Sequence, residues 1–139
     1  MNWLVIDTSV VSYILKKHSL TAEYWEILKD HGLGISFMTV AELYCWPLRR
    51  NWSEQRLVAL RQHLRSYTVL PYEDAISWEW AKIKCTRGHP ASDPDAWIAA
   101  TALVYGIPLV THNPRHFFHV EGLEILTIPR PVNDSDLNT

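Results

Sequence analysis

Cysteine is scarce. Cys45 and Cys85 are the only two, forty residues apart and each in an apolar helical stretch, which suits reduced, packed thiols and gives no basis for a disulfide framework or a zinc knuckle. Long apolar runs are missing as well: Trp3–Ile6 and Ala96–Ala100 fall far short of the ~20 residues that a membrane-spanning helix takes, so no membrane association is expected. The opening Met1-Asn2-Trp3-Leu4-Val5-Ile6-Asp7 has no basic stretch and no small-residue cleavage site, so no secretory signal is read and a cytoplasmic location is the expectation. Neither charge is in excess. With 13 Lys and Arg against 15 Asp and Glu the net charge is -2, and the whole-chain field gives no argument for nucleic acid.

What is present suits one folded domain: 139 residues, 47% hydrophobic and 20% charged, with 8 Pro, excluding disordered and collagen-like chains. No internal repeat appears. Trp3–Ile6 is apolar without alternation, as in a strand buried on both faces. Helical spacing follows at Val10, Val11, Ile14 and Leu15, then at Ala22, Trp25 and Leu28, with Gly32 as the stop. A second strand is expected over 34–38, with a helix from Thr39 towards Asn51. Ser53 caps the next, which has Leu57, Leu60 and Leu64 as its core stripe and Arg61 and Arg65 reaching outward. A strand over 67–70 precedes a helix from Pro71 that carries Tyr72, Ile76, Trp80 and Ile83 and ends at Gly88 and Pro90. Ser92–Tyr105 is an alanine-rich helix closed by Gly106, and strands are expected over 107–110 and 123–128. Alternating strands and helices predict an α/β fold with a mostly parallel central sheet flanked by helices, with ligands beyond the C-terminal strand ends. One domain is expected over 1–132, with a fraying polar tail over 133–139.

Three acids fall at equivalent junctions: Asp7 ends the first strand, Glu42 lies in the first turn of the helix after the second, and Asp95 lies in the first turn of the Ser92 helix. Converging carboxylates suit Mg²⁺ or Mn²⁺, hard cations that activate water for attack on phosphate. Each acid also fits a helix cap, with Asp7 as an N-cap, Thr39-x-x-Glu42 as a capping box, and Ser92-x-x-Asp95 or Asp93-Pro94 as another. Spacing leaves both readings open, although capping does not require three acids on one side of a sheet.

Other patterns carry less. Asp7-Thr8-Ser9 lacks the second carboxylate that a phosphoaspartate enzyme uses two residues on. His112, His116 and His119 have spacings a helix would align, but Pro114 interrupts it, and surface imidazoles are the expectation. Most of the seven tryptophans are expected in the core, with Trp25, Trp80 and Trp97 on apolar helix faces. From Arg49 to Arg65 the chain carries Arg49, Arg50, Arg56, Arg61 and Arg65 against one acid, Glu54. Trp46 and Trp52 flank this stripe, a mix suited equally to single-stranded RNA and to a protein interface.

Four blocks, Val5-Ile6-Asp7-Thr8-Ser9-Val10, Thr39-Val40-Ala41-Glu42-Leu43, Asp95 through Ala102, and Leu109 through Phe117, together resemble the PIN-domain ribonucleases, in the small type found as toxins of bacterial type II toxin–antitoxin pairs. The resemblance spans nearly the whole chain. It implies a three-layer PIN-like fold and a metal-dependent endoribonuclease using Mg²⁺ or Mn²⁺, active as a homodimer and neutralised by a small antitoxin. Asp7, Glu42 and Asp95 match the family's first three acids. The fourth acid stands just before the Phe of the last motif, and here that position is His116, which removes a charge for which Asp93 is placed to compensate. Thr111 and Asn113 match polar family positions, and Thr8 and Ser9 are placed to bind a metal-bound water. Arg49, Arg50, Arg61 and Arg65 are read as a surface for RNA or an acidic partner. The second reading, prompted by His116, is a catalytically weakened RNA-binding or protein-interaction domain.

Overall fold

The apolar tetrad Trp3–Ile6 forms strand β1, and its side chains show what the sheet separates. The computed structural model describes residues 2–86, 88 and 91–128; the expectations for Pro90 and for the 133–139 tail lie outside them. Leu4 and Ile6 enter one core with Val10, Val11, Tyr24, Leu28, Leu43, Leu60 and Leu64. Val5, pointing the other way, joins Ile76, Ile83, Ala96, Ile98, Ala99 and Phe117 in a second core. This follows from the two-residue side-chain period of a strand.

The elements are β1 (Trp3–Ile6), α1 (Thr8–Leu15), α2 (Thr21–Leu28), β2 (Gly32–Ile35), α3 (Phe37–Arg50), α4 (Glu54–Leu64), β3 (Thr68–Val69), α5 (Asp74–Cys85), α6 (Asp93–Tyr105), β4 (Leu109–Val110) and β5 (Ile125–Leu126), with one 3₁₀ turn at Pro114–His116. The sheet order is β3-β2-β1-β4-β5 and every pairing is parallel. Helices α1 to α4 supply one core and α5 and α6 the other, giving the expected three layers. Among the described residues no helix is long and apolar enough to cross a membrane.

Several boundaries move from the sequence-based expectation. Helix α2 ends at Leu28, and Gly32 opens β2 instead of stopping the helix; it pairs with Trp3, and a Cβ there would stand 2.4 Å from the indole ring. Because β2 pairs with β1 only as far as Val5↔Gly34, the chain turns early. Ser36 caps α3, its Oγ accepting from Met38 N at 3.0 Å. Thr39 is therefore the third helical residue, Glu42 lies in the second turn, and the Thr39 capping box does not form. Helix α5 starts at Asp74 rather than Pro71. Asp7, Ser53 and Ser92 cap as expected, and Asn51 and Gly106 end their helices in the left-handed region, at φ of 50° and 65°.

The core is aliphatic, not tryptophan-rich. None of the seven tryptophans is fully buried, but Trp46 and Trp52 pack half-buried against the first core and Trp80 and Trp97 against the second; the expectation is corrected for Trp25, which is 51% exposed on the outer face of α2. Cys85 is exposed and Cys45 half-buried. His112, read from sequence as a surface imidazole, is buried against Tyr13 and Tyr24, while His116 and His119 are exposed.

Candidate active site

From β1 the chain builds outward to β2 and β3, then returns to the other side of β1 for β4 and β5. The reversal leaves a crevice at the carboxyl ends of β1 and β4, the place where open parallel sheets bind ligands. Asp7 follows β1 directly and Thr111 follows β4 directly. The ladder fixes both backbones: Asp7 N–H donates to Val110 O at 2.9 Å and Thr111 N–H to Leu126 O at 3.0 Å.

Asp7 is 4% exposed, and its carboxylate accepts three hydrogen bonds. Oδ1 accepts from Thr8 N at 2.9 Å; Oδ2 accepts from Ser9 Oγ at 2.8 Å and Thr111 Oγ1 at 2.6 Å. Each hydroxyl is positioned in turn. Ser9 Oγ accepts from His112 N at 3.2 Å and Thr111 Oγ1 from Asn113 N at 3.0 Å. Capping and site geometry thus coincide at Asp7, since one oxygen caps α1 while the other ties α1 to the end of β4. Thr8 Oγ1 donates to Glu42 Oε1 at 2.8 Å and lies 2.9 Å from Thr39 Oγ1, so the start of α1 also fixes the acid of α3. Asp95, in the first turn of α6, has its Oδ2 3.3 Å from His116 Nδ1.

The charges press on one another. Burial pushes the Asp7 carboxyl above its ordinary 3.8; the Thr111 and Ser9 hydroxyls oppose the shift, and the Asp95 charge adds to it. Burial likewise raises Glu42, against the Thr8 hydrogen bond and with help from the charges of Asp7 and Asp95. Among the described residues neither Asp7 nor Glu42 forms an ion pair with a lysine or arginine. No three acid, histidine or cysteine side chains among them are gathered closely enough to enclose an ion as they stand. The donor set is all hard oxygen, held by hydroxyls and a helix start, with negative charge left unbalanced; it fits a divalent cation of the Mg²⁺ or Mn²⁺ kind.

The remaining expected residues divide. Thr8, Ser9 and Thr111 join the network through their side chains, and Asn113 joins through its backbone N–H. His116 stands beside Asp95. Asp93 faces elsewhere: its Oδ1 is 2.7 Å from Lys84 Nζ, whereas the Asp95 charge acts on Asp7 and the charges of Asp7 and Asp95 act on Glu42. Arg49, Arg50, Arg61 and Arg65 are exposed at the C-terminal ends of α3 and α4. Two participants escaped sequence reasoning. Thr39 was taken for a cap, though its spacing of three from Glu42 puts both on one face of α3. The His112 backbone N–H is a contact across 103 residues that no local pattern signals.

Residues 4–123 match the PIN domain. The chain belongs to the PIN-domain family. This PIN domain is 27% identical over 125 residues to Ribonuclease VapC1 of Haemophilus influenzae strain R2866, spanning 86% of this chain and 93% of that protein. Among solved structures, it resembles a chain of VapBC-1 from nontypeable Haemophilus influenzae at a TM-score of 0.75 and 27% identity, covering 91% of this chain and 98% of that one. A chain of VapBC2 from Rickettsia felis, bound to a DNA fragment from its promoter, superposes at a TM-score of 0.79 with 20% identity and the same coverage, and shows the fold alone.

Proposed function

We propose that this PIN domain is a divalent-metal-dependent endoribonuclease, the toxin of a toxin–antitoxin pair. One observation carries the metal reading: Asp7 and Glu42 are raised by burial and by neighbouring acids, with no lysine or arginine ion pair among the described residues. Helix capping alone leaves that charge uncompensated. The ribonuclease and toxin parts rest on the likeness to Ribonuclease VapC1 and to VapBC-1. By the same analogy we propose RNA as substrate, a small antitoxin and a second copy of the chain as partners, and the cytoplasm as the location.

Asp7, Glu42 and Asp95 would hold Mg²⁺ or Mn²⁺. Such an ion supplies a water acidic enough to attack phosphorus and offsets the charge that develops on the phosphate. The chain's own contribution is orientation and charge. Ser9 and Thr111 fix the plane of the Asp7 carboxylate, Thr8 fixes that of Glu42, and these donors favour the ionised forms that metal binding needs. His116, beside Asp95, is placed to hydrogen-bond water or a phosphate oxygen at the rim of the site. Asp93 would join the metal set only by leaving Lys84.

The test is cleavage of single-stranded RNA by the purified chain with Mg²⁺ or Mn²⁺ and with EDTA. Metal-dependent internal cuts that vanish in Asp7→Asn are expected. RNA binding without cleavage in either metal would favour the second reading, a catalytically weakened domain, for which His116 in the acid's place is the motive.

A further inference from the structure

Away from the acids, where the ends of α1 and α3 meet the start of α4, lies a cleft of about 210 Å³ lined chiefly by Leu15, Lys16, Trp46, Arg50, Trp52 and Arg56. Two cations already sit on its rings. Lys16 Nζ is 4.7 Å from the Trp46 ring centre and Arg56 Cζ is 4.0 Å from that of Trp52. Lys16, Arg50 and Arg56 form no ion pair with an acid among the described residues, although the only acid in the 49–65 stretch, Glu54, begins the same helix as Arg56. The Trp52 indole N–H is buried without a hydrogen-bond acceptor, an unusual state for a buried donor.

The cleft and the acid site share helix α3. Glu42, Trp46 and Arg50 recur every fourth residue of α3, one above another on a single face. At 1.5 Å of rise per residue, Trp46 lies about 6 Å and Arg50 about 12 Å along the helix from Glu42, a span that an extended strand covers in a few nucleotides. Aromatic rings and guanidinium planes are the surfaces on which unpaired bases stack, with cations alongside for the phosphates.

We propose that this cleft seats a base of single-stranded RNA a few nucleotides from the phosphate cut at the acids. The base stacks against the Arg56 guanidinium that covers Trp52, while Lys16 and Arg50 hold the flanking phosphates. The inference rests on the ribonuclease reading for its substrate, but not for its binding measurement.

The test uses the full chain and a short, fluorescein-labelled single-stranded RNA. Anisotropy in EDTA reads affinity at several salt concentrations, and cleavage in Mn²⁺ reads kcat and KM. Lys16 and Arg56 are exposed, so Lys16→Gln/Arg56→Gln should keep the wild-type Tm. It should bind RNA about tenfold more weakly, with a salt slope flatter by about 0.7 because Lys16 alone of the two holds a phosphate, and raise KM at unchanged kcat. Arg56→Lys should keep the slope yet lose affinity severalfold, because its charge remains and its plane does not. Wild-type affinity in both variants would overturn the proposal while leaving metal-dependent cleavage intact. Weakened binding in a chain that cuts nothing would support the cleft and sink the nuclease reading instead. If poly-L-glutamate competes as well as RNA and loses as much in the double variant, the cleft reads an acidic protein and the base seat is overturned.

Discussion

Asp7→Asn separates a cap from a metal ligand, because asparagine caps a helix about as well as aspartate. In the metal-free protein two effects oppose. The amide cannot accept at both positions where Asp7 meets the Thr8 N–H on one side and the Ser9 and Thr111 hydroxyls on the other, and one frustrated hydrogen bond costs about 1 kcal/mol. Against this, a buried charge facing Asp95 is removed. The linkage sign follows from the raised carboxyl. Asp7 and Glu42 contribute stability that is fully present below their ordinary values of 3.8 and 4.5 and is lost as pH rises through their raised folded values. Metal-free wild type should therefore lose stability as pH climbs from about 4, and Asp7→Asn should lose less. A saturating cation reverses the order: at 100 times its Kd it stabilises wild type by about 2.7 kcal/mol, roughly 8–11 °C in Tm at this size. Thermal unfolding from pH 4 to 8, with EDTA and with Mn²⁺, checks both. Equal pH slopes and an equal Mn²⁺ shift in the two proteins would refute the metal-ligand reasoning and leave Asp7 a cap.

Three further outcomes are expected. Thr8→Val removes the hydroxyl that holds down Glu42, so the acid limb of the pH–rate profile should move to higher pH with a stability change within ~1 kcal/mol, and Thr8→Ser should restore it. His116→Asp adds a carboxylate beside Asp95 and should tighten Mn²⁺ binding by calorimetry; an unchanged Kd would place residue 116 outside the metal site. Gly32→Ala pushes a methyl into the Trp3 ring and should cost about 1–3 kcal/mol by chemical denaturation. In a Trp3→Ala background that cost should largely disappear.

Much of the fold was legible because it is local. The unalternating Trp3–Ile6, the caps at Asp7, Ser53 and Ser92, and the left-handed stops at Asn51 and Gly106 each depend on a few neighbours in sequence. Asp7 and Asp95 were legible for the same reason, as acids at a strand end and a helix start, whereas Glu42 stands one turn deeper in α3 than its spacing from Thr39 suggested. Where two local signals competed, tertiary structure chose. Ser36 and Thr39 both suit a helix cap, and Ser36 prevailed because the register of β2 on β1 ends the strand before it. Asp93 and Asp95 sit two residues apart at one helix start, yet the approach of Lys84 from α5 turns one of them aside. Trp25 was misread because periodicity marks an apolar face without saying whether another element covers it.

The sequence by itself determined the alternation of strands and helices, the apolar character of β1 and the set of acids, since these are properties of residue type and short-range spacing. The sheet order, the crevice between β1 and β4 and the Thr111 hydroxyl on Asp7 from 104 residues away were decided only by tertiary structure. Long-range parallel pairing is stabilised by burying both faces of the sheet at once, and no window of sequence contains both partners.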